Sequence, residues 1–264
     1  MTAPIVHPEA RPPHIHTLIN GVDRYNPSNC HLLEDYLSVQ MKNNSYDLMS
    51  NLALLKLYQF NPALLSPSSV LSVLFISLSH APFSPDFALA WALLGDSFVN
   101  GADLPPPQPT SDDEDDDEDE RARQPQQPNG ERETAQHLQQ LSQHLHARQF
   151  KAFWQALRSP PQKATDQLAD LTASASGFES TLRSNIAKEV EQSFRSLSRQ
   201  TLASFLGVQA DSNVIQDLAT SQNWSIEADQ VKLGKNESNA PTSTVTNEKI
   251  TIDQLSRLLG RTQA

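Results

Sequence analysis

Apolar residues recur at spacings of three and four along residues 17–102, which is the pattern of helices that each bury one face. The clearest stripes are Leu33, Tyr36, Leu37 and Met41; Leu48, Leu52 and Leu55; and Phe87, Trp91, Leu94 and Phe98. A stretch rich in proline and histidine comes before them. We therefore expect residues 1–16 to be a disordered tail followed by helices.

A short motif recurs within this helical region. Tyr25-Asn26-Pro27 reappears 35 residues later as Phe60-Asn61-Pro62, and a looser copy follows at Phe83-Ser84-Pro85. Each copy predicts a helix start, because Asn or Ser can cap a helix and proline suits its first position. The aromatic residue can pack back on the new helix, with Leu65 as the contact in the second copy. The spacing is typical of stacked helical pairs of the tetratricopeptide or HEAT kind and favours a helical-repeat domain over 17–175.

An acidic, proline-rich stretch interrupts the helical pattern at residues 103–134. It contains three consecutive prolines from Pro105 and nine consecutive acids from Asp112 to Glu120, with almost no apolar residues. Such a segment cannot offset the entropy lost on ordering, so we expect a disordered insertion. Three roles remain open for the acidic segment: a solubilising loop, a segment that attracts basic partners by charge, or a kinase substrate at Ser111.

The pattern changes after Gly177, where short helices give way to short strands. The predicted helices are 178–194, 199–206 and 211–223, and the predicted strands are 224–226, 230–233 and 249–252, followed by a last helix at 253–259. A polar loop at 234–247 separates the last two strands. Three helices followed by a hairpin predict a winged-helix domain over 177–264, so the fold is mostly α and has two domains.

Charge argues against a protein that binds nucleic acid by itself. The formal net charge is −11, and the nine acids of Asp112–Glu120 account for nine of those charges, which leaves −2 for the rest. The third winged-helix helix, 211–223, has two aspartates and no Lys or Arg, although a helix that reads a DNA groove needs cations and amides. We therefore expect no autonomous DNA binding.

Candidate catalytic and metal-binding residues are few. Cys30 is the single cysteine, and His31 beside it suggests a nucleophile with its base. Adjacent residues of a helix point about 100° apart, however, so the two side chains cannot easily share a hydrogen bond. His137, His144 and His146 lack an acid or cysteine at a complementary spacing, so we interpret them as solvent-facing helix residues. Glu34 and Asp35 are interpreted as part of a solvated face. No glycine pair forms a phosphate-binding or dinucleotide motif. We expect no catalytic residue, no cofactor and no metal.

Several ordered motifs resemble the subunit k family of eukaryotic translation initiation factor 3. They are Gly21 to Pro27, Leu33-Glu34-x-Tyr36, Tyr46-Asp47-Leu48, Asn51-Leu52-Ala53, Leu55 to Pro62, Phe150 to Leu157, Gly177-Phe178-Glu179, Leu202-Ala203 with Leu206-Gly207, and Trp224-Ser225. The resemblance covers about residues 18 to 233. The chain departs from the family pattern at the acidic insertion and at the 234–247 loop. These two segments suggest a lineage-specific, fungal addition.

The resemblance implies a HEAT-like domain joined to a winged helix, a PCI-like architecture related to subunits of the proteasome lid and the COP9 signalosome. It implies a non-catalytic scaffold in translation initiation, with other factor 3 subunits such as subunit l and the small (40S) ribosomal subunit as partners. A scaffold subunit of a related assembly is the alternative, and a free nucleic-acid regulator is a third class. Neither a transmembrane stretch nor a secretory signal is expected, so the predicted location is the cytoplasm.

The predicted partner interface lies on the winged helix. An unpaired strand edge can be extended by another sheet through backbone hydrogen bonds. The apolar residues available on the predicted strands and the last helix are Val231, Leu233, Ile250, Ile252, Leu255, Leu258 and Leu259. An alternative interpretation is that these residues close the core of their own domain.

Overall fold

The computed structural model describes residues 11–95, 98–99, 129–240 and 252, and it is mostly helical. The first helices are α1 (Pro13–Asn20), α2 (Cys30–Lys42), α3 (Leu48–Phe60), α4 (Pro67–His80) and α5 (Asp86–Ala92), with 3-10 helices at Val22–Tyr25, Pro27–Asn29 and Pro62–Leu64. They are followed by α6 (Asn129–His146), α7 (Phe150–Arg158), a 3-10 helix at Gln162–Ala164 and α8 (Thr165–Ser174). Within these ranges, no helix has both the length and the apolar content needed to cross a membrane.

The last described elements have the order of a winged helix. They are α9 (Phe178–Ser193), β1 (Ser196–Ser198), α10 (Arg199–Leu206), α11 (Asn213–Ser221), β2 (Ser225–Glu227) and β3 (Gln230–Lys232). Strand β3 lies between β1 and β2 and is antiparallel to both, so that Leu197 and Ile226 are each paired with Val231. The predicted fold class, mostly α with helical pairs followed by a winged helix, is confirmed.

The sheet differs from the prediction in its third strand. Strand β1 was not predicted, and it occupies one edge of β3, whereas the third strand was predicted at residues 249–252. Of that predicted strand the structure describes Ile252, whose backbone is helical, so a strand at this residue is wrong. Residues 249–251 and the predicted helix 253–259 lie outside the described residues. The β2–β3 hairpin was predicted correctly apart from one residue at each of three ends.

Helix α4 is the centre of the core. Nine of its residues from Val70 to Ser79 are buried, which covers all sides of the helix. It packs against helices from both halves of the chain, among them α2, α6 and α9. The rings of Phe75 and Phe178 stack with centroids 4.0 Å apart, and Asn185 donates to the carbonyl of Ser79 at 2.7 Å. The buried apolar residues form one cluster. The division into two domains stays a prediction.

The ordered part of the chain begins closer to the N-terminus than predicted. Helix α1 begins at Pro13, inside the segment expected to be a disordered tail, because a proline at the first helical position costs no hydrogen bond. Its apolar face buries Ile15, Leu18 and Ile19. Residues 11–16 are therefore ordered, and residues 1–10 lie outside the described part of the chain.

The end of the predicted acidic insertion is also helical. Residues 129–134 form the first turns of α6, where Thr134 is buried and donates its hydroxyl to the side-chain oxygen of Gln167 at 2.6 Å. Thr134 and Ala135 extend the buried stripe of Leu138 by one turn, which was overlooked because the surrounding residues are polar. Residues 103–128 lie outside the described residues.

The three copies of the recurring motif differ in structure. Asn26 accepts the backbone N–H of Ser28 at 3.0 Å, so the predicted cap is confirmed there. Ser84 similarly accepts the N–H of Asp86 at 3.2 Å. Asn61 does not cap the following turn but donates its amide to the carbonyl of Leu57 at 3.0 Å, at the end of α3.

The start of the polar loop 234–247 is an ordered turn. The side-chain amide of Asn239 donates to the carbonyls of Glu191 at 2.9 Å and Gly234 at 2.7 Å, while Arg195 donates to the carbonyl of Asn239 at 2.7 Å. The last carbonyls of a helix lack partners within the helix, and here Asn239 supplies a donor at the end of α9. Residues 234–240 of the predicted polar loop are therefore held to α9 and to Arg195, directly before β1, by defined hydrogen bonds.

A buried ion pair fixes α1 to the core. Arg11 donates through Nε and Nη2 to the two carboxylate oxygens of Asp47, both at 2.5 Å, and both side chains are almost fully buried. Asp47 also accepts the N–H of Ser50 at 3.3 Å as the cap of α3, and the Tyr36 hydroxyl lies 3.4 Å from it. Burial raises the pKa of Tyr36 to about 12. Three elements therefore meet at one carboxylate.

A second junction joins α7 to α10. The Trp154 indole donates to the carbonyl of Phe205 at 2.9 Å, and its ring lies against Gly207. Gly207 ends α10 in the left-handed conformation with φ 65°. Arg183 and Arg158 lie over the faces of the same ring, 5.0 and 5.8 Å from its centre.

Candidate interaction surfaces

Two residues of the predicted interface lie in the core. Val231 is 0% exposed and Leu233 is 7% exposed, because β3 is the central strand of the sheet. The N–H of Leu233 is also satisfied within the chain by the carbonyl of Arg195, at 2.8 Å. For Val231 and Leu233 the interface prediction is wrong and the alternative of a core role is correct.

The other predicted interface residues are near the C-terminus. Ile252 is 83% exposed, which leaves its side chain open to a partner. Ile250, Leu255, Leu258 and Leu259 lie outside the described residues, and their role stays a prediction.

The hairpin keeps one open edge. Strand β2 pairs with β3 on one side, and no described strand pairs with its other side. Ile226 is half-buried between exposed Ser225 and Glu227, so the edge is short and polar, with Lys232 ion-paired to Glu227 at 2.6 Å. The outer edge of β2 is therefore available for pairing with a strand of a partner, whereas the other edge of the hairpin is paired with β1.

The third helix of the winged helix, α11, presents no cations. Its span Asn213–Ser221 buries Ile215 and Ala219 and contains Asp217 as its charged residue. A phosphate backbone is bound mainly by Lys and Arg, so this helix lacks the residues for groove binding.

Cys30 is a buried thiol rather than a nucleophile. It is nearly inaccessible, and burial raises its pKa to about 11, so that the thiol stays protonated at neutral pH. The Cys30 sulfur lies 3.9 Å from a carboxylate oxygen of Glu34, which also accepts the Tyr58 hydroxyl. Glu34 is therefore half-buried and bonded, not part of a solvated face, whereas Asp35 is exposed as predicted.

His137 is buried, which corrects its prediction as a solvent-facing residue. It lies on the same face of α6 as Leu141, four positions later, and this spacing was a usable signal of burial. Neither ring nitrogen makes a hydrogen bond of normal geometry in the described structure. Burial lowers the pKa of His137. No group of three or more potential metal ligands is present among the described residues.

The buried imidazole predicts a pH-dependent stability. Since the pKa of His137 is lower in the folded than in the unfolded chain, its neutral form stabilises the fold above about pH 6.5, and this contribution is lost as pH falls below that value. Chemical denaturation at pH 7.5 and pH 5.5 is expected to show a smaller pH effect in His137→Leu than in the natural chain. His146→Leu, at an exposed site on the same helix, is the control. An equal pH effect in both variants would contradict the prediction.

An exposed group of aromatic and basic side chains was not predicted as a site. Tyr25 and Phe60 are 50% and 59% exposed and meet edge to face, with ring centres 6.4 Å apart. Arg24 lies over the Tyr25 ring at 4.7 Å, and Lys56 lies over the Phe60 ring at 4.8 Å. We call these four residues the aromatic patch. The repeated motif had suggested that each ring packs on its own helix, whereas the two copies pack on each other.

A shallow cavity adjoins the aromatic patch. Its volume is about 220 Å³, and it is lined by Ile19, Arg24, Tyr25, Met49, Leu52, Ala53, Lys56 and Leu93. The floor is apolar and the rim carries two positive charges. The arrangement suits an apolar side chain that has an acidic neighbour.

Comparison with known proteins finds a family match over most of this helical chain. The model of the CSN8/PSMD8/EIF3K family matches residues 65–244, which is more than half of the chain. The chain belongs to this family. Its match extends across α4, the shared core and the winged helix, so the family relationship includes both halves of the structure.

Curated relatives match over almost the whole chain. "Eukaryotic translation initiation factor 3 subunit K" of Phaeosphaeria nodorum is 33% identical over 261 residues, covering 99% of this chain and 98% of the relative. The proteins of the same name from Mycosarcoma maydis and Aspergillus terreus are each 34% identical, covering 98% and 96% of this chain and 94% of each relative. The acidic stretch 103–134 thus lies within the span aligned with these fungal proteins.

Proposed function

We propose that the chain is the K subunit of eukaryotic translation initiation factor 3 and acts there as a scaffold that binds other proteins. The observation that carries this proposal is the agreement, over nearly the full length of both chains, with fungal proteins of that name. The protein is not an enzyme in this proposal. The buried, protonated Cys30 is in keeping with that role.

The proposed setting is the cytoplasm, where the factor would assemble on the small (40S) ribosomal subunit. A neighbouring PCI-type subunit, such as subunit l, is the proposed direct partner. Autonomous DNA binding is not part of the function, since α11 offers no cations to phosphate.

The proposed contact with that partner is on the winged helix. The open edge of β2 and the exposed Ile252 support it, and Ile250, Leu255, Leu258 and Leu259 complete the proposed surface. Val231 and Leu233 are omitted because they close the core. An edge strand offers backbone hydrogen bonds to a second sheet, and apolar side chains on the two partners would fix the register.

The first experiment is purification of the tagged full-length chain from its host, with identification of the bound subunits. We expect subunits of initiation factor 3 together with the small ribosomal subunit. Recovery of proteasome-lid or signalosome subunits instead would favour the second candidate, a scaffold of a related assembly, which the shared family model keeps open.

The winged-helix contact is tested by Ile252→Glu in the same purification. Because Ile252 is exposed, we expect an unchanged thermal midpoint and a loss of associated factor 3 subunits of roughly tenfold, the effect of about 1.4 kcal/mol. Val39→Glu is the control, since Val39 is also an exposed apolar residue, at 45%, but lies on α2 in the first half of the chain. Undiminished association of the Ile252 variant would contradict a contact at this residue.

A further inference from the structure

The aromatic patch contains two large rings whose exposure folding does not explain. Tyr25 and Phe60 contact each other, but each leaves at least half of its surface in water. Exposed aromatic pairs beside a cavity are typical of interaction sites, because aromatic side chains contribute much of the energy at protein interfaces. Val22, 83% exposed, lies in the same 3-10 helix as Tyr25 and extends the apolar surface.

The two cations of the aromatic patch are not neutralised by the described part of the chain. Lys56 donates to the neutral side-chain oxygen of Gln59 at 2.7 Å, and neither Lys56 nor Arg24 forms an ion pair with a described carboxylate. The Nε atom of Arg24 is buried and has no hydrogen-bond acceptor among the described residues. The positive charges of Arg24 and Lys56 therefore lack a counter-charge in the described part of the chain, and a carboxylate of a partner would supply it.

We propose that the aromatic patch is a docking site for a segment of a partner protein in which a bulky apolar side chain is flanked by carboxylates. The apolar side chain would enter the cavity between α3, α5 and the Val22–Tyr25 turn, and the carboxylates would pair with Arg24 and Lys56. This inference rests on the proposed function, because it identifies the chemistry of a second docking partner of the scaffold.

The chain's own acidic run, Asp112–Glu120, is the competing occupant. It matches the patch in charge, but its nine residues include no apolar side chain that could fill the cavity. An apolar floor binds tightly only when apolar surface is buried on it, so the observations favour the mixed acidic and apolar segment of a partner.

The test uses the full-length chain and a fluorescein-labelled synthetic peptide with one phenylalanine between glutamates. A companion peptide replaces each glutamate with glutamine. We expect the acidic peptide to bind about tenfold more tightly than the companion at low salt, and the difference to shrink as salt screens the charges. Equal affinity of the two peptides, or no binding of either, would overturn the proposal.

Variants locate the binding site on the patch. Lys56→Glu and Phe60→Ala are each expected to weaken binding of the acidic peptide by about tenfold or more. Lys188→Glu makes the same charge change at an exposed position of α9 and is expected to leave binding unchanged. If Lys188→Glu weakens binding as much as Lys56→Glu does, the peptide responds to net charge and the proposal is wrong.

Two further results separate the competing explanations. Replacing Asp112–Glu120 with asparagine and glutamine is expected to leave peptide affinity unchanged, whereas a severalfold rise would show that the run occupies the patch and would overturn the proposal. Co-purification of the natural chain with factor 3 subunits tests the proposed function by itself. The chain can therefore pass that test and still fail the peptide test, or the reverse.

Discussion

Replacing Asp47 with alanine is expected to lower the free energy of unfolding by about 3–5 kcal/mol, the usual cost of removing one partner of a buried ion pair. The substitution leaves Arg11 buried without its two carboxylate oxygens and removes the cap of α3. Since α1 is joined to the core through this pair, its contacts should be lost first. Urea denaturation followed by circular dichroism measures the change.

Two controls separate the ion pair from the general loss of an acid. Asp35→Ala removes an exposed carboxylate from α2 and is expected to change stability by no more than about 0.5 kcal/mol. The double variant Arg11→Met with Asp47→Leu removes both charges and is expected to recover much of the loss, because no unpaired charge remains buried. A loss below 1 kcal/mol in Asp47→Ala would mean that the pair contributes little, and the prediction would be wrong.

Gly207→Ala is expected to destabilise the chain by about 3 kcal/mol, from left-handed strain together with overpacking. A Cβ atom at this position would lie 2.4 Å from Trp154 Cδ2, closer than such atoms approach in proteins. The φ of 65° is also unfavourable for alanine. Moving the indole to relieve the clash would break its hydrogen bond to Phe205, so tryptophan fluorescence should change together with the unfolding midpoint.

Gly130→Ala is the matched control, because it makes the same change in the first turn of α6. A Cβ atom there would meet the carbonyl of Lys163 at 3.4 Å, an ordinary contact, and alanine favours a helix. Its stability is expected to stay equal or to rise slightly. Similar midpoints for the two variants would show that the Gly207 contact with Trp154 is not tight.

Much of the fold could be predicted from sequence because its helices carry regular apolar stripes. Leu33, Tyr36, Leu37 and Met41 are all buried on α2, and the spacing of three and four was enough to place them. Strand β1 could not be predicted, because Ser196–Ser198 offers one apolar residue, Leu197, in a three-residue strand. Its position depends on pairing with β3, more than thirty residues later.

The interaction surfaces were harder to predict, because burial depends on tertiary pairing. Val231 and Leu233 alternate along a strand in the manner of either an interface or a core, and only the position of β3 at the centre of the sheet decides between them. The aromatic patch combines two motif copies 35 positions apart, and local pattern assigned each ring to its own helix. Similarly, Arg11 and Asp47 gave no local sign of an ion pair.

The continuous core around α4 has a consequence for genetic screens. Phe75 and Phe178 stack across the boundary of the two predicted domains, so a lesion in either half reduces the folded population of both. Loss-of-function mutations mapped along the gene will therefore fall in the core around α4 as readily as in the contacts with partners. A screen for partner recognition in this protein needs a measure of folded abundance beside each phenotype.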